Sequence, residues 1–285
     1  MPPEPQHSST RTRFVPLNDL TVDPAYADWL RQIGLDSLEA LFAWRDGESL
    51  NKPGLDRWRT RMRVIVRDQG AERILYLKRF DHPHYRARCA ARRSGSGAGS
   101  LAGNEWAWIE RLLAAGIPCL RAVAFGEHVR RGRELRSAII TAPVPGKSLE
   151  SWCAMWTLDD RDVLRSLIPA TAALLAELHA AGFIHRDLYL SHLYFDPQRP
   201  IEDSLRLIDL ARVIRPWCRM RRWVVKDLAA LNYSAPTTLI TRADRVRWLR
   251  AYLNTPRLGA DGKSLAYRVL GKSSSIARRD ARKRR

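Results

Sequence analysis

From Leu164 to Ala180 the apolar residues Leu164, Leu167, Ile168, Leu174, Leu175 and Leu178 recur near helical spacing, and Gly182 is placed to stop the helix they predict. After it, Leu193-Tyr194-Phe195 and the apolar run Leu205 to Leu210, joined by a Pro-containing turn, predict a β-hairpin. Earlier in the chain the period shortens to two. Met62, Val64 and Val66 alternate with their neighbours, Asp68-Gln69-Gly70 supplies a turn, and Ile74 to Lys78 returns as a strand that ends on a lysine. Ala122 to Gly126 and Ser137 to Thr141 read as two more strands. Helical spacing also marks Asp23 to Trp44, divided by Gly34, then Asn104 to Ala115, a helix opening at Lys226-Asp227-Leu228, and a last one over Asp244 to Leu253. Strands dominate the first half and helices the second, which predicts an α+β protein with an antiparallel sheet followed by a mainly helical part.

Between the Leu164–Ala180 helix and the hairpin lies His185-Arg186-Asp187-Leu188-Tyr189-Leu190-Ser191-His192, and the hairpin delivers Leu207-Ile208-Asp209-Leu210. The first run matches the phosphotransferase template H-R-D-L-x-x-x-N except that His192 replaces Asn. In that template the first Asp accepts the proton of an attacking hydroxyl, and the later Asp, with the Asn, holds Mg²⁺. A template lysine on a strand binds the ATP phosphates and pairs with a Glu on the next helix. Lys78 follows an apolar strand, and Glu105 falls in the first turn expected for Asn104–Ala115. The template's glycine-rich phosphate cradle is absent: Lys52 to Thr60 offers only Gly54, with Arg57 or Arg59 beside it. Asp81 to Gly103, which includes Ser94-Gly95-Ser96-Gly97-Ala98-Gly99-Ser100, has the composition of a mobile loop. Ala142-Pro143-Val144-Pro145-Gly146 stands where such an enzyme grips adenine. The prolines lack N–H groups, which leaves Ala142 C=O and Val144 N–H as the adenine contacts. Asp227 either ties the catalytic loop by hydrogen bonds or caps its helix.

Charge narrows the partner. The 285 residues carry a net charge of +19, so the partner is anionic: nucleic acid, an acidic membrane face or a phosphorylated substrate. Arg212, Arg215, Arg219, Arg221, Arg222 and Lys226 form a basic cluster with no acid among them, interspersed with Trp217 and Trp223, as suits acidic headgroups and interfacial depth. The basic end, Arg278 to Arg285, lacks the aromatic interleaving of single-strand nucleic-acid binders, which makes nucleic acid an unlikely partner. Four scattered cysteines with no C-x-x-C pair argue against zinc and disulfides, and point to the cytoplasm. No run of about 18 apolar residues occurs, and the polar, Pro-rich start predicts neither export nor a spanning helix.

With these residues placed, the chain resembles the lipopolysaccharide core kinases that phosphorylate heptose or Kdo sugars, a branch of the protein-kinase-like superfamily. The likeness runs from about Leu30 to Leu253. It rests on the loop ending in His192, on Ile208-Asp209-Leu210, on Asn104-Glu105-Trp106, on Pro145-Gly146 and on Lys226-Asp227-Leu228. The resemblance implies a two-lobed kinase fold, with 16–143 a small lobe with a helical preface and 144–270 a large lobe, while composition marks residues 1–15 as disordered and 271–285 as a basic tail. It also implies ATP and Mg²⁺ as cofactors and Lys78 on the phosphates. Glu105 is then its ion-pair partner, Asp187 the base and Asp209 the metal ligand, with His192 beside metal or phosphate. The acceptor is expected to be a lipopolysaccharide core sugar, an anionic glycolipid met peripherally at the inner face of the cytoplasmic membrane. Alternatives on the same fold are a protein kinase, a small-molecule phosphotransferase and a non-catalytic nucleotide-binding scaffold.

Overall fold

The computed structural model describes residues 14–51, 54, 56–68 and 71–283. Gln69 and Gly70 of the expected turn and parts of the Lys52–Thr60 stretch lie outside them, as does most of the expected disordered start. The chain divides into two compact units, Met1–Gly116 with Arg121–Pro143, and Ile117–Leu120 with Val144–Arg285.

The first unit is built on an antiparallel sheet. Its strands are β1 (Val15–Leu17), β2 (Leu20–Val22), β3 (Glu48–Ser49), β4 (Arg59–Asp68), β5 (Ala71–Asp81), β6 (Ala122–Arg130) and β7 (Arg133–Thr141), ordered β1-β2-β6-β7-β5-β4-β3. β1 and β2 add a sheet edge that three-residue strands are too short to announce by alternation. Helices α1 (Pro24–Gln32) and α2 (Leu38–Ala43) bury Leu30 and Leu41 against Val64, Leu75, Leu77 and Ile140 of the sheet. Side chains alternate along a strand, so Leu75 and Leu77 face this core while Lys78 projects to the opposite face. Lys78 lies inside β5, three residues before its end, because Arg79, Phe80 and Asp81 go on pairing with Ala138, Ser137 and Arg136.

The expected mobile loop is ordered. Tyr85–Arg92 forms α3, and the serines after it are buried and bonded: Ser94 Oγ donates to Asn104 Oδ1, and Ser100 Oγ accepts from Gly103 N at 3.0 Å. Ser100 is an N-cap, so α4 runs over Leu101–Ala114 and begins a turn earlier than its apolar spacing suggests. Glu105 therefore sits in the second turn, and β7 holds the helix start through Glu134 Oε2, which accepts from Leu101 N at 3.1 Å.

The second unit opens with β8 (Lys147–Ser148), which joins β9 (Leu193–Phe195) and β10 (Leu205–Leu207) in a small sheet ordered β10-β9-β8. Gly146, at φ +82°, enters it where a Cβ would overlap the Phe195 carbonyl, so only glycine fits. The α-helices among the described residues of the unit are α5 (Leu149–Met155), α6 (Arg161–Ala180), α7 (Met220–Ser234), α8 (Arg242–Tyr252) and α9 (Ala260–Lys283). By length and composition α6 could cross a membrane, yet its stripe Leu167, Leu174, Leu175 and Leu178 is buried in the unit. The basic tail expected over 271–285 is helical to Lys283. Val269, Ser273 and Ile276 of α9 are buried against Val225, Leu228 and Ala229 of α7, and Ser273 Oγ donates to Ala229 O at 3.0 Å. The apolar positions 265, 269 and 276 have helical spacing, which the density of arginines around them obscured.

Candidate active site

Helix α6 ends where Gly182 takes φ +85°, and the chain turns into the His185–His192 loop. Two groups anchor this loop from below. Leu188 is fully buried, and the fully buried Asp227, in the second turn of α7, accepts from His185 N at 2.7 Å and from Arg186 N at 2.8 Å. Helix α7 starts at Met220, so Asp227 is no cap: of the two readings open in the sequence, the tether is the one the structure contains. These bonds hold Arg186 at φ +67°, a left-handed backbone that a non-glycine residue adopts at a cost of roughly 1–3 kcal/mol. Below Asp227 lies a layer the sequence did not reveal. His179 Nε2 is 3.4 Å from Asp227 Oδ2, and His179 Nδ1 is 2.8 Å from the Tyr252 hydroxyl. Burial pushes that phenol up to about 12, so it stays protonated. Asp227→Ala is expected to strip both amides of their acceptor and lower stability by about 2–5 kcal/mol in urea unfolding. Loss of a mere helix cap would cost about 1 kcal/mol.

On this anchored loop Asp187, His192 and Asp209 converge, with one ligand atom from each within 4.8 Å of the others. Asp209 follows β10 at φ +56°, so the chain bends sharply behind it. His192 Nδ1 is 2.6 Å from the Asp187 carbonyl oxygen, and only a protonated Nδ1 can donate there. Its Nε2 lies 3.8 Å from Asp209 Oδ2. Two carboxylates facing one another at this range suit a hard divalent cation, which prefers oxygen donors and completes its shell with water and phosphate. Arg212 Nη1 donates to Asp187 Oδ1 at 3.1 Å and orients that carboxylate. His185, fully buried, is held below the usual imidazole range by burial above all, partly opposed by Asp227. It is therefore neutral, and its Nε2 lies 3.0 Å from Ile208 O.

In the first unit Lys78 Nζ donates to Glu105 Oε1 at 2.6 Å, and the Glu105 side chain is fully buried. Ala142 is fixed by its N–H, which donates to Arg121 O at 3.0 Å, and Val144 follows half-buried. Of the residues near the expected phosphate cradle, Arg59 lies over the Phe80 ring at 5.8 Å, and Trp58 packs on the same ring.

The sequence model of the lipopolysaccharide kinase (Kdo/WaaP) family matches residues 55–252, more than two thirds of the chain, and that span holds Lys78, Glu105, Asp187, His192, Asp209 and Asp227. The chain belongs to this family. Lipopolysaccharide core heptose(I) kinase WaaP of Pseudomonas aeruginosa is 36% identical over 158 residues, 53% of this chain and 59% of that protein. WaaP of Escherichia coli is 36% identical over 161 residues, 54% of this chain and 61% of that protein. The chain thus spans about three fifths of these curated relatives. A solved structure of WaaP in complex with acyl carrier protein is similar, with a TM-score of 0.66, 28% identity, and coverage of 90% of this chain and 98% of that one. The likeness covers both units and bears out the kinase-like α+β fold.

Proposed function

We propose that this chain is an ATP-dependent kinase that transfers a phosphoryl group to a sugar hydroxyl of the lipopolysaccharide core. The observation that carries the reading is the cluster of Asp187, His192 and Asp209 on a loop tethered by Asp227, in a chain of the lipopolysaccharide kinase family. Lys78, oriented by Glu105, takes the α- and β-phosphates, and Ala142 C=O with Val144 N–H takes adenine. Asp187 accepts the proton of the sugar hydroxyl as its oxygen attacks the γ-phosphorus, and the bond to the β–γ bridging oxygen breaks to release ADP. Asp209, with His192 beside it, would hold Mg²⁺, which when bound would neutralise phosphate charge. Positioning and charge stabilisation supply most of the rate.

The acceptor is a glycolipid, met at the inner face of the cytoplasmic membrane by the basic segment Arg212–Lys226. Trp217, 96% exposed among arginines, supports this peripheral docking. A second partner is acyl carrier protein. The solved structure of WaaP in complex with acyl carrier protein supports this, as does an apolar cavity of about 550 Å³ in the second unit. Leu164, Ile168, Leu228, Leu231, Leu249 and Leu270 line it, and such a lining suits an acyl chain. Purified chain incubated with γ-labelled ATP and, in parallel, lipopolysaccharide core, peptide pools and RNA is expected to label the core alone. Label in peptide would move the reading to a protein kinase.

A further inference from the structure

The first turns of α7 are charged against their own helix. Arg221 and Arg222 stand in the opening turn, where the helix dipole is positive and no acidic residue is present. Arg222 and Lys226, four residues apart, share one face. Trp223 lies under two of the cations: Lys226 Nζ is 4.0 Å from its ring centroid, and the Arg186 guanidinium carbon is 5.5 Å away. Helix α9 brings a further one, because Lys272 precedes the Ser273 whose hydroxyl bonds Ala229, one turn from Lys226. Burial first, then the charges of Arg222, Lys272 and Arg186, hold the Lys226 ammonium below the usual lysine range. Among the described residues no carboxylate lies within ion-pair distance of Arg222, Lys226 or Lys272, and both oxygens of the nearby Asp227 are taken by loop amides. Nor can the chain neutralise the patch by phosphorylating its own loop, since Asp209 to Trp223 contains no Ser, Thr or Tyr. These cations are therefore open to an anion from outside the chain.

We propose that Arg186, Arg222, Lys226 and Lys272, grouped around Trp223, form a subsite for an anionic group, a phosphomonoester or carboxylate, that the acceptor already carries close to the hydroxyl to be phosphorylated. The assignment rests on the reading of Asp187, next to Arg186, as the base. It also orders the chemistry: the reaction that installs this anion on the acceptor precedes the step catalysed here.

The test reads binding and not turnover. Full-length chain saturated with a non-hydrolysable ATP analogue is titrated calorimetrically with inorganic pyrophosphate, and its sedimentation with phosphatidylglycerol vesicles is measured alongside. Wild type is expected to bind pyrophosphate with an affinity that falls as salt rises. Lys226→Gln combined with Lys272→Gln is expected to weaken that binding at least tenfold without lowering the unfolding midpoint, because like-charge crowding is relieved. A merely structural pair would lower the midpoint and leave pyrophosphate affinity alone. If the double variant does not fold, Arg222→Gln, at an exposed position, gives the same reading. Absent pyrophosphate binding in wild type, or equal affinity in the variants, overturns the proposal. Loss of vesicle binding with pyrophosphate affinity intact also overturns it, in favour of a bilayer surface. Pyrophosphate binding through these residues in a chain that phosphorylates no core sugar would sink the kinase reading and leave the anion site standing.

Discussion

Asp187→Asn is expected to lower phosphoryl transfer by roughly 10²- to 10⁴-fold, the usual contribution of a positioned general base. The fold should survive. The loop is held by Leu188, by the amides of His185 and Arg186 on Asp227, and by His192 on the Asp187 main-chain carbonyl, and none of these uses the Asp187 carboxylate. An amide at this position keeps the volume and can still accept from Arg212, so orientation is preserved while basicity is lost. Initial rates with saturating ATP, beside an unfolding curve, separate the two effects. Near-wild-type rates would remove Asp187 from the role of base.

Lys78→Ala should act on stability as well as activity. Glu105 is fully buried, its Oε1 receives the Lys78 ammonium at 2.6 Å, and its Oε2 has no hydrogen-bond partner in the structure. Removing the lysine leaves a buried carboxylate uncompensated, at a cost of about 3–5 kcal/mol. Glu105→Ala removes that charge and leaves the less buried lysine, so the double variant should lose less than the sum of the singles, with a coupling of about 1 kcal/mol or more. Urea unfolding of the four proteins measures it. Strict additivity would show that the contact carries no energy.

The chemistry was more legible in this chain than its boundaries were. His185-Arg186-Asp187 and Asp209 could be read because the loop between a periodic helix and a short hairpin is local, and local spacing survives in sequence. Lys78 and Glu105 were legible as residue types in order, but their pairing depends on Glu105 lying a turn deeper in α4 than the apolar pattern implied. What hid the helix start was Ser100, a capping serine embedded in a Ser/Gly run whose composition resembles a linker. Asp227 was noticed, but whether it capped or tethered turned on where α7 begins. That start carries no capping side chain, only Arg219 at φ +56°. His179 and Tyr252 beneath it were invisible, because a contact across 73 residues leaves no local signal. Arg212 on Asp187 was missed for the same reason. It was read as one member of a basic cluster, and nothing in its neighbours tells which arginine turns inward.

The central claim, that this chain places a phosphoryl group on a sugar of the lipopolysaccharide core, is tested most directly by ³¹P NMR of purified core before and after incubation with the chain, ATP and Mg²⁺. The account predicts a new phosphomonoester resonance on a core sugar, dependent on ATP and absent when Asp187→Asn replaces the wild-type chain. ATP hydrolysis that yields only inorganic phosphate, with an unaltered core spectrum, would contradict it.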